Sequence, residues 1–279
     1  MKVILSRKGF DSGIGGFASF ILPDGTLQSL PIPSDGDPLS YSDVKSRYQN
    51  KNLLELMLDI KDKIKEREWK KLDESTNCHL DPDIDFYALE RSEGWKGCFG
   101  QTGAAQTVLK NANVNVNDLF LFFGWFNECG KNDTNSIIMK KGQGKHVMFG
   151  YLQIGEIIHT AKDTIPAWLR YHPHAYGNRV DDKNNCIYIA REKCSWDEKI
   201  SGYGIFKYNK ELELTKTGMS RSKWALPDIF KGISITYHTQ DAWKEEYFQS
   251  AARGQEFVVE ESDIIKKWAQ DIIERNVYK

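Results

Sequence analysis

β-prone runs outnumber helical ones along this sequence, and the two kinds do not alternate. A doubly wound parallel sheet needs a helical pattern between successive strands. The order of runs therefore predicts an α+β fold, a mixed, largely antiparallel sheet with flanking helices. The strongest β-prone runs are 118–126 and 146–158, dense in aromatic and branched side chains and separated by a Gly/Lys/Asn-rich connection. Shorter strands are expected at 2–6, 17–22, 26–30, 78–84, 186–191, 203–208, 212–216 and 255–259. Pro23-Asp24-Gly25 makes a turn between two of them, and 31–42 reads as a loop. Apolar residues recur at helical spacing over 52–69, and further helices are expected at 102–110 and 263–275.

No repeat, low-complexity tract or linker divides the chain, so residues 1–279 are expected to form one domain. No apolar run approaches the roughly 20 residues that span a membrane. The N-terminus runs straight into a charged loop, which argues against a secretory signal and makes a cytoplasmic location the expectation. With 38 basic and 39 acidic side chains the net charge is −1, which argues against a broad basic face for non-specific DNA binding but leaves room for a local positive pocket. The 5 cysteines form no CxxC pair, so reduced and mostly buried thiols are expected, without a disulfide ladder or a cysteine-held zinc.

Chemistry-bearing residues gather in a few places. The apolar run Val3-Ile4-Leu5 ends in Ser6-Arg7-Lys8-Gly9-Phe10-Asp11, followed by Gly13, Gly15 and Gly16. Glycines allow backbone N–H groups to turn toward an anion, and Arg7 and Lys8 add charge, so Ser6, Arg7, Lys8 and Gly9 are candidate phosphate ligands. Asp11 would orient the cations or bind a metal. The spacing is not that of a P-loop, and a surface loop with an Arg/Asp pair is the competing reading.

On an extended segment His79, Asp81 and Asp83 would share one face, giving an imidazole and two carboxylates for acid/base or metal-binding work. A polar turn is the alternative. His172 and His174 flank Pro173 and offer a metal half-site, a proton-transfer pair or a wall beside a base. A divalent metal is allowed, not required, with Asp81, Asp83 and His172 as its ligands. Gln101, between Gly100 and Thr102, is placed at a helix N-terminus that could meet an anion. Arg221 and Lys223 beside Trp224 look like phosphate-positioning cations next to a stacking platform, or else a solvated loop over a buried indole.

Several short motifs carry a resemblance that runs nearly end to end. They are the opening SRKGFDS, the turn Leu22-Pro23-Asp24-Gly25-Thr26, Cys78-His79-Leu80-Asp81-Pro82-Asp83, Gly97-Cys98-Phe99-Gly100-Gln101, Tyr171-His172-Pro173-His174 and Arg253-Gly254-Gln255-Glu256-Phe257-Val258-Val259. Together they resemble the nucleotide modification associated domain 3 family of phages and bacteria. The resemblance implies one family domain and participation in nucleic-acid base modification, without specifying a reaction. The strand pair 118–126 and 146–158 is also reminiscent of PUA-like small barrels, which hold an extruded base.

The expectation is thus an enzyme, or part of one, acting on a base or nucleotide. Catalytic candidates are His79, Asp81, Asp83, Asp11, His172 and His174. Ligand-binding candidates are Ser6, Arg7, Lys8, Gly9, Gln101, Arg221, Lys223 and Trp224. Other modification enzymes are candidate partners, and no membrane is expected. The rivals are a module that reads or sequesters a modified base or small nucleotide, and a structural subunit of a modification complex.

Overall fold

The computed structural model of the protein describes residues 1–61 and 72–278. In chain order, the strands that frame the site are β1 (Val3–Arg7), β2 (Asn77–His79), β3 (Cys98–Gln101), β4 (Leu119–Lys131), β5 (Lys145–His159), β6 (Cys186–Ala190) and β7 (Glu256–Val259). The helices are α1 (Leu53–Lys61), α2 (Gly103–Asn111) and α3 (Asp263–Asn276). The main sheet runs β7-β1-β4-β5-β6-β3, and only the β1–β4 pairing on this path is parallel. The short strand Ser19–Ile21 adds a second parallel pairing on β4. The fold is α+β with a mixed, largely antiparallel sheet, as the order of runs requires.

β4 and β5 are long because both faces are covered over most of their length, and most of their residues are buried. β5 shifts register at Met148/Gly150 against β4 and at Ile154/Glu156 against β6. Such bulges bend a strand and increase its twist. At the second, Gly155 passes so close to Arg191 that a Cβ would lie 2.9 Å from the Arg191 backbone. The sheet curls into a partial barrel, and its two end strands meet through side chains. Gln101 of β3 donates from Nε2 to Glu256 Oε1 of β7 at 2.6 Å, and Lys8 Nζ reaches the same oxygen at 2.7 Å. Phe99, Phe120, Phe122 and Tyr188 pack together in the core of this curl.

α3 adds Ile265, Ala269, Ile272 and Ile273 to the same core. α1 opens with a reciprocal cap, Asn52 Oδ1 accepting from Glu55 N–H at 2.8 Å and Glu55 Oε2 from Asn52 N–H at 2.9 Å. It packs Leu53, Leu56, Met57 and Ile60 on a second cluster with Phe10, Tyr41 and Cys78. The helix expected over 52–69 is present as Leu53–Lys61, and 62–71 lie outside the described residues.

Three local expectations change. The strand expected over 78–84 ends at His79, because Pro82 has no N–H to give a ladder. The glycine-rich region 97–103, which from its composition reads as a turn leading into a helix, instead holds a strand, Cys98–Gln101, on β6, its glycines admitting neighbouring rings. The strand expected over 212–216 is reduced to isolated β-bridges at Glu213 and Thr215, following a short helical turn, Lys210–Leu212. All 5 cysteines are free and buried, in apolar packing rather than in pairs.

Candidate functional site

β2 lies between two short strands, Ile32–Pro33 and Leu39–Ser40. The loop joining those flanking strands brings Asp37 to His79, where Asp37 Oδ2 accepts from Nδ1 at 2.6 Å. Asp37 is buried and also pairs with Arg179. Burial acts to raise the Asp37 pKa, but the His79 and Ser34 hydrogen bonds, with the His79 charge and Arg179, outweigh it and hold the carboxyl well below its usual range.

Just beyond β2, Asp81 faces β3 and the turn that carries the two histidines. Gly100 N–H donates to Asp81 Oδ1 at 2.8 Å. His172 caps the turn Pro173–Ala175, its Nδ1 accepting from His174 N–H at 3.2 Å. That places the ring proton of a neutral His172 on Nε2, which sits 3.3 Å from Asp81 Oδ1. The contact is close but misaligned for a full hydrogen bond, leaving Nε2 without another partner among the described residues. His174 Nε2 lies 3.8 Å and His79 Nε2 3.9 Å from Asp81 Oδ2. His174 Nδ1 bonds to Asn185 Oδ1 at 2.5 Å. Asn185 Nδ2 donates to His174 O and Thr160 Oγ1, both at 2.8 Å, which fixes the amide orientation.

Burial pushes the Asp81 pKa up, but contact with His172 and the charges of His172, His174 and His79 prevail, lowering it to about 2. Burial lowers His174 to about 4, with Asp81 and Asn185 opposing and the other two histidines adding. At neutral pH Asp81 is therefore a carboxylate and His174 is uncharged. Of the four, only the His79 side chain has appreciable exposure, at 15%. His79, Asp81 and His174 present three ligand atoms within 4.8 Å of one another, so this group could hold a metal ion.

Asp83 does not join them. Its carboxylate takes two bonds of 2.7 Å from Arg91 and another from Tyr171, and Arg91 stacks on Trp95 at 3.8 Å. It is a buried structural ion pair, because Pro82 ends the extended run that would have kept all three side chains on one face. His172 likewise serves Asp81 rather than completing the expected ligand set of Asp81, Asp83 and His172. Asp37 and Asn185 carry no signal in the sequence, and Gly100 is read there only as part of a helix N-terminus that could meet an anion.

Two adjacent cations at a strand end are expected from sequence to share one pocket with the acidic pair Asp81 and Asp83, but the N-terminal loop meets other partners. Lys8 pairs with buried Glu256 and lies over Phe99 at 4.3 Å; it does not reach Asp81 or Asp83. Arg7, next along an extended strand, points to the opposite face. It donates to Ala251 O at 2.7 Å and Ala252 O at 3.1 Å, over the rings of Phe123 and Phe257. Ser6 is fully buried, and Gly9 turns the chain with φ 78°. Asp11 Oδ1 accepts from Gly13 and Ile14 N–H at 2.7 Å, shaping its own loop.

Gln101 is bound to Glu256 rather than open to a ligand. Trp224 is no stacking platform: it is 1% exposed, with Nε1 donating to His146 Nδ1 and Arg221 O. Lys223 lies over Tyr247 and Arg221 over Trp125, at 4.8 and 3.9 Å. Burial lowers the Arg7 and Arg221 pKa values, Asp11 opposing in both cases and Arg221 adding at Arg7. Neither arginine has an ion pair within 4.0 Å among the described residues.

No described helix is long and apolar enough to cross a membrane. The sequence model of a family described as nucleotide modification associated domain 3 matches residues 2–260, a span holding the whole Asp81 cluster and both arginines. No curated protein and no solved structure matches the chain, so the likeness to PUA-like barrels gains no counterpart.

Proposed function

Since the chain belongs to the nucleotide modification associated domain 3 family, we propose that it is an enzyme acting on a nucleobase or nucleotide in a base-modification pathway. Its reactive centre in this reading is Asp81 with His79, His172 and His174. The observation that carries the reading is the three imidazoles gathered on one buried carboxylate, each with a defined partner of its own. Burying so many titratable groups carries a desolvation cost that pairing and hydrogen bonds must offset, and perturbed groups of this kind collect at reactive sites. His79 stands at the solvent side and would exchange protons with substrate. Asp81 would act as base or metal ligand, and His172 and His174 would hold it in place. Residues 1–279 act as one domain here, because α3 packs into the core of the sheet that the family match covers.

A second reading, a module that binds a nucleotide without turning it over, is favoured by Arg7 and Arg221. Two half-buried guanidinium groups without a paired carboxylate suit a phosphate. One comparison separates the readings. Nucleotides and short DNA and RNA are incubated with the protein and with Asp81→Asn, and products and bound ligand are both followed by mass spectrometry. The enzyme reading expects modified product that disappears in Asp81→Asn while ligand binding persists. Binding that needs Arg221 but not Asp81, with no product, would establish the module instead.

A further inference from the structure

We propose that His79 Nε2, Asp81 Oδ2 and His174 Nε2 form the binding face for one divalent first-row transition ion of the zinc or iron(II) kind. The proposal deepens the reading of Asp81 as the reactive centre and rests on it for the metal's role, not for its binding.

The argument starts from the far side of each ring. His79 Nδ1 meets a carboxylate oxygen of Asp37 at 2.6 Å, and His174 Nδ1 meets the amide oxygen of Asn185 at 2.5 Å. Both partners are acceptors, and Asn185 cannot be turned round, since its Nδ2 already donates to two oxygens. The proton of each neutral ring therefore sits on Nδ1, and each Nε2 presents a lone pair. Both lone pairs face Asp81 Oδ2, at 3.9 and 3.8 Å. With both rings neutral, three electron-rich atoms converge without a hydrogen between them, an arrangement that a cation at its centre relieves.

The rest of the shell divides the labour at Asp81. Oδ1 is held by Gly100 N–H at 2.8 Å and faced by His172 Nε2 at 3.3 Å, which leaves Oδ2 for an ion. His172, with Nδ1 occupied by the His174 N–H, is a positioning residue rather than a ligand. Histidine ligands whose other nitrogen is bound to a carboxylate or carbonyl are the usual supporting pattern around protein-bound metals. Two imidazoles and one carboxylate select a borderline transition ion over calcium or magnesium, which prefer oxygen donors. Bonds of roughly 2.0–2.2 Å would draw these atoms inward by a few tenths of an ångström. His79, 15% exposed, is the one member of the set through which water or substrate would approach the ion.

The test reads the metal directly. The full chain is stripped with a chelator and titrated with Zn2+, with Co2+ as the spectroscopic probe, and anaerobically with Fe2+, and bound metal is measured per chain by elemental analysis. The expected result is one ion per chain, with cobalt absorption bands of a nitrogen/oxygen site. Which of zinc and iron(II) is retained identifies the resident kind. Asp81→Asn and His79→Gln should each weaken binding by at least about 100-fold, and Asp37→Asn by about 10- to 100-fold. His79 lies at the accessible edge, so His79→Gln retains the fold even where a buried variant does not, and circular dichroism verifies this. Failure to retain any of the three ions, or retention unchanged in folded His79→Gln, overturns the site. Stoichiometric metal without nucleotide turnover would leave the site standing and remove the enzymatic reading; turnover by metal-free protein would do the reverse.

Discussion

Gly100 lies directly against His174: a Cβ built on Gly100 would fall 2.2 Å from His174 Cγ. The same glycine donates its N–H to Asp81, so a single strand position sets both the ring and the carboxylate. Gly100→Ala should therefore displace His174 by steric contact, with an overpacking cost of about 1–3 kcal/mol. Metal retention should fall by about 10- to 100-fold, the range seen when support around a metal ligand is lost. Thermal unfolding and elemental analysis of one preparation give both numbers. Intact metal binding in a folded Gly100→Ala protein would contradict this account of the strand.

Asp83 and Asp81, two residues apart, should behave differently on loss of charge. Asp83→Asn leaves the Arg91 guanidinium buried beside a neutral amide. Breaking a buried pair of this kind costs about 3–5 kcal/mol, read as a lowered urea midpoint. Metal content per folded chain should stay at the wild-type level. If Asp83→Asn is as stable as wild type but loses metal, Asp83 belongs to the centre and not to the scaffold.

Arg221 gives a sharper test of phosphate binding than Arg7. The Arg7 guanidinium is bound to two backbone carbonyls, so removing it disturbs the fold as well as any ligand. The Arg221 guanidinium lies over the Trp125 ring, an interaction of about 0.5–1 kcal/mol at an accessible site. Arg221→Ala should weaken nucleoside monophosphate binding by about 1.5–3 kcal/mol, the worth of a charge-assisted hydrogen bond. Calorimetric titration gives the affinity, and an unchanged value would place the phosphate elsewhere.

Acid should destabilise the protein well above the carboxylate range. Burial lowers the His146 pKa from 6.5 to about 3, with Arg7 and Arg221 adding to the effect. The unfolded chain takes up this proton near pH 6.5 and the folded chain only near pH 3. Stability is thus complete above the unfolded value and falls as the pH drops through that window, by about 1.4 kcal/mol per pH unit for this group. Urea midpoints between pH 7 and 4 should show the slope, and His146→Gln should flatten it. A slope identical in the variant would point to other groups.

The long strands were legible because the side chains of 118–126 and 146–158 suit a sheet covered on both faces, whatever else surrounds them. His79, Asp81, His172 and His174 were legible as chemical types at close spacing. Their support was not. Asp37 sits in a Pro/Ser/Asp/Gly loop, and only the pairing of β2 with the strands on either side of that loop brings it to His79. Asn185 is one ordinary amide ahead of β6. Gly97 and Gly100, three apart around a β-prone pair, did carry a signal: glycine within a strand marks a close approach, here by the rings of Tyr203 and His174. Arg7 and Lys8 misled because adjacent residues on a strand point to opposite faces, so two neighbouring cations came to serve two unrelated surroundings.

The seam that closes the curled sheet has a bearing on how the molecule is made. Val3 pairs with Val259, and Lys8 and Gln101 both wait for Glu256. A chain that leaves the ribosome N-terminus first can assemble every member of the Asp81 cluster before this seam exists. During that interval β1 keeps one bare edge, and Lys8 lies against Phe99 without its counter-ion. Bare strand edges recruit other chains, so nascent and prematurely terminated products are the forms of this molecule most in need of a chaperone.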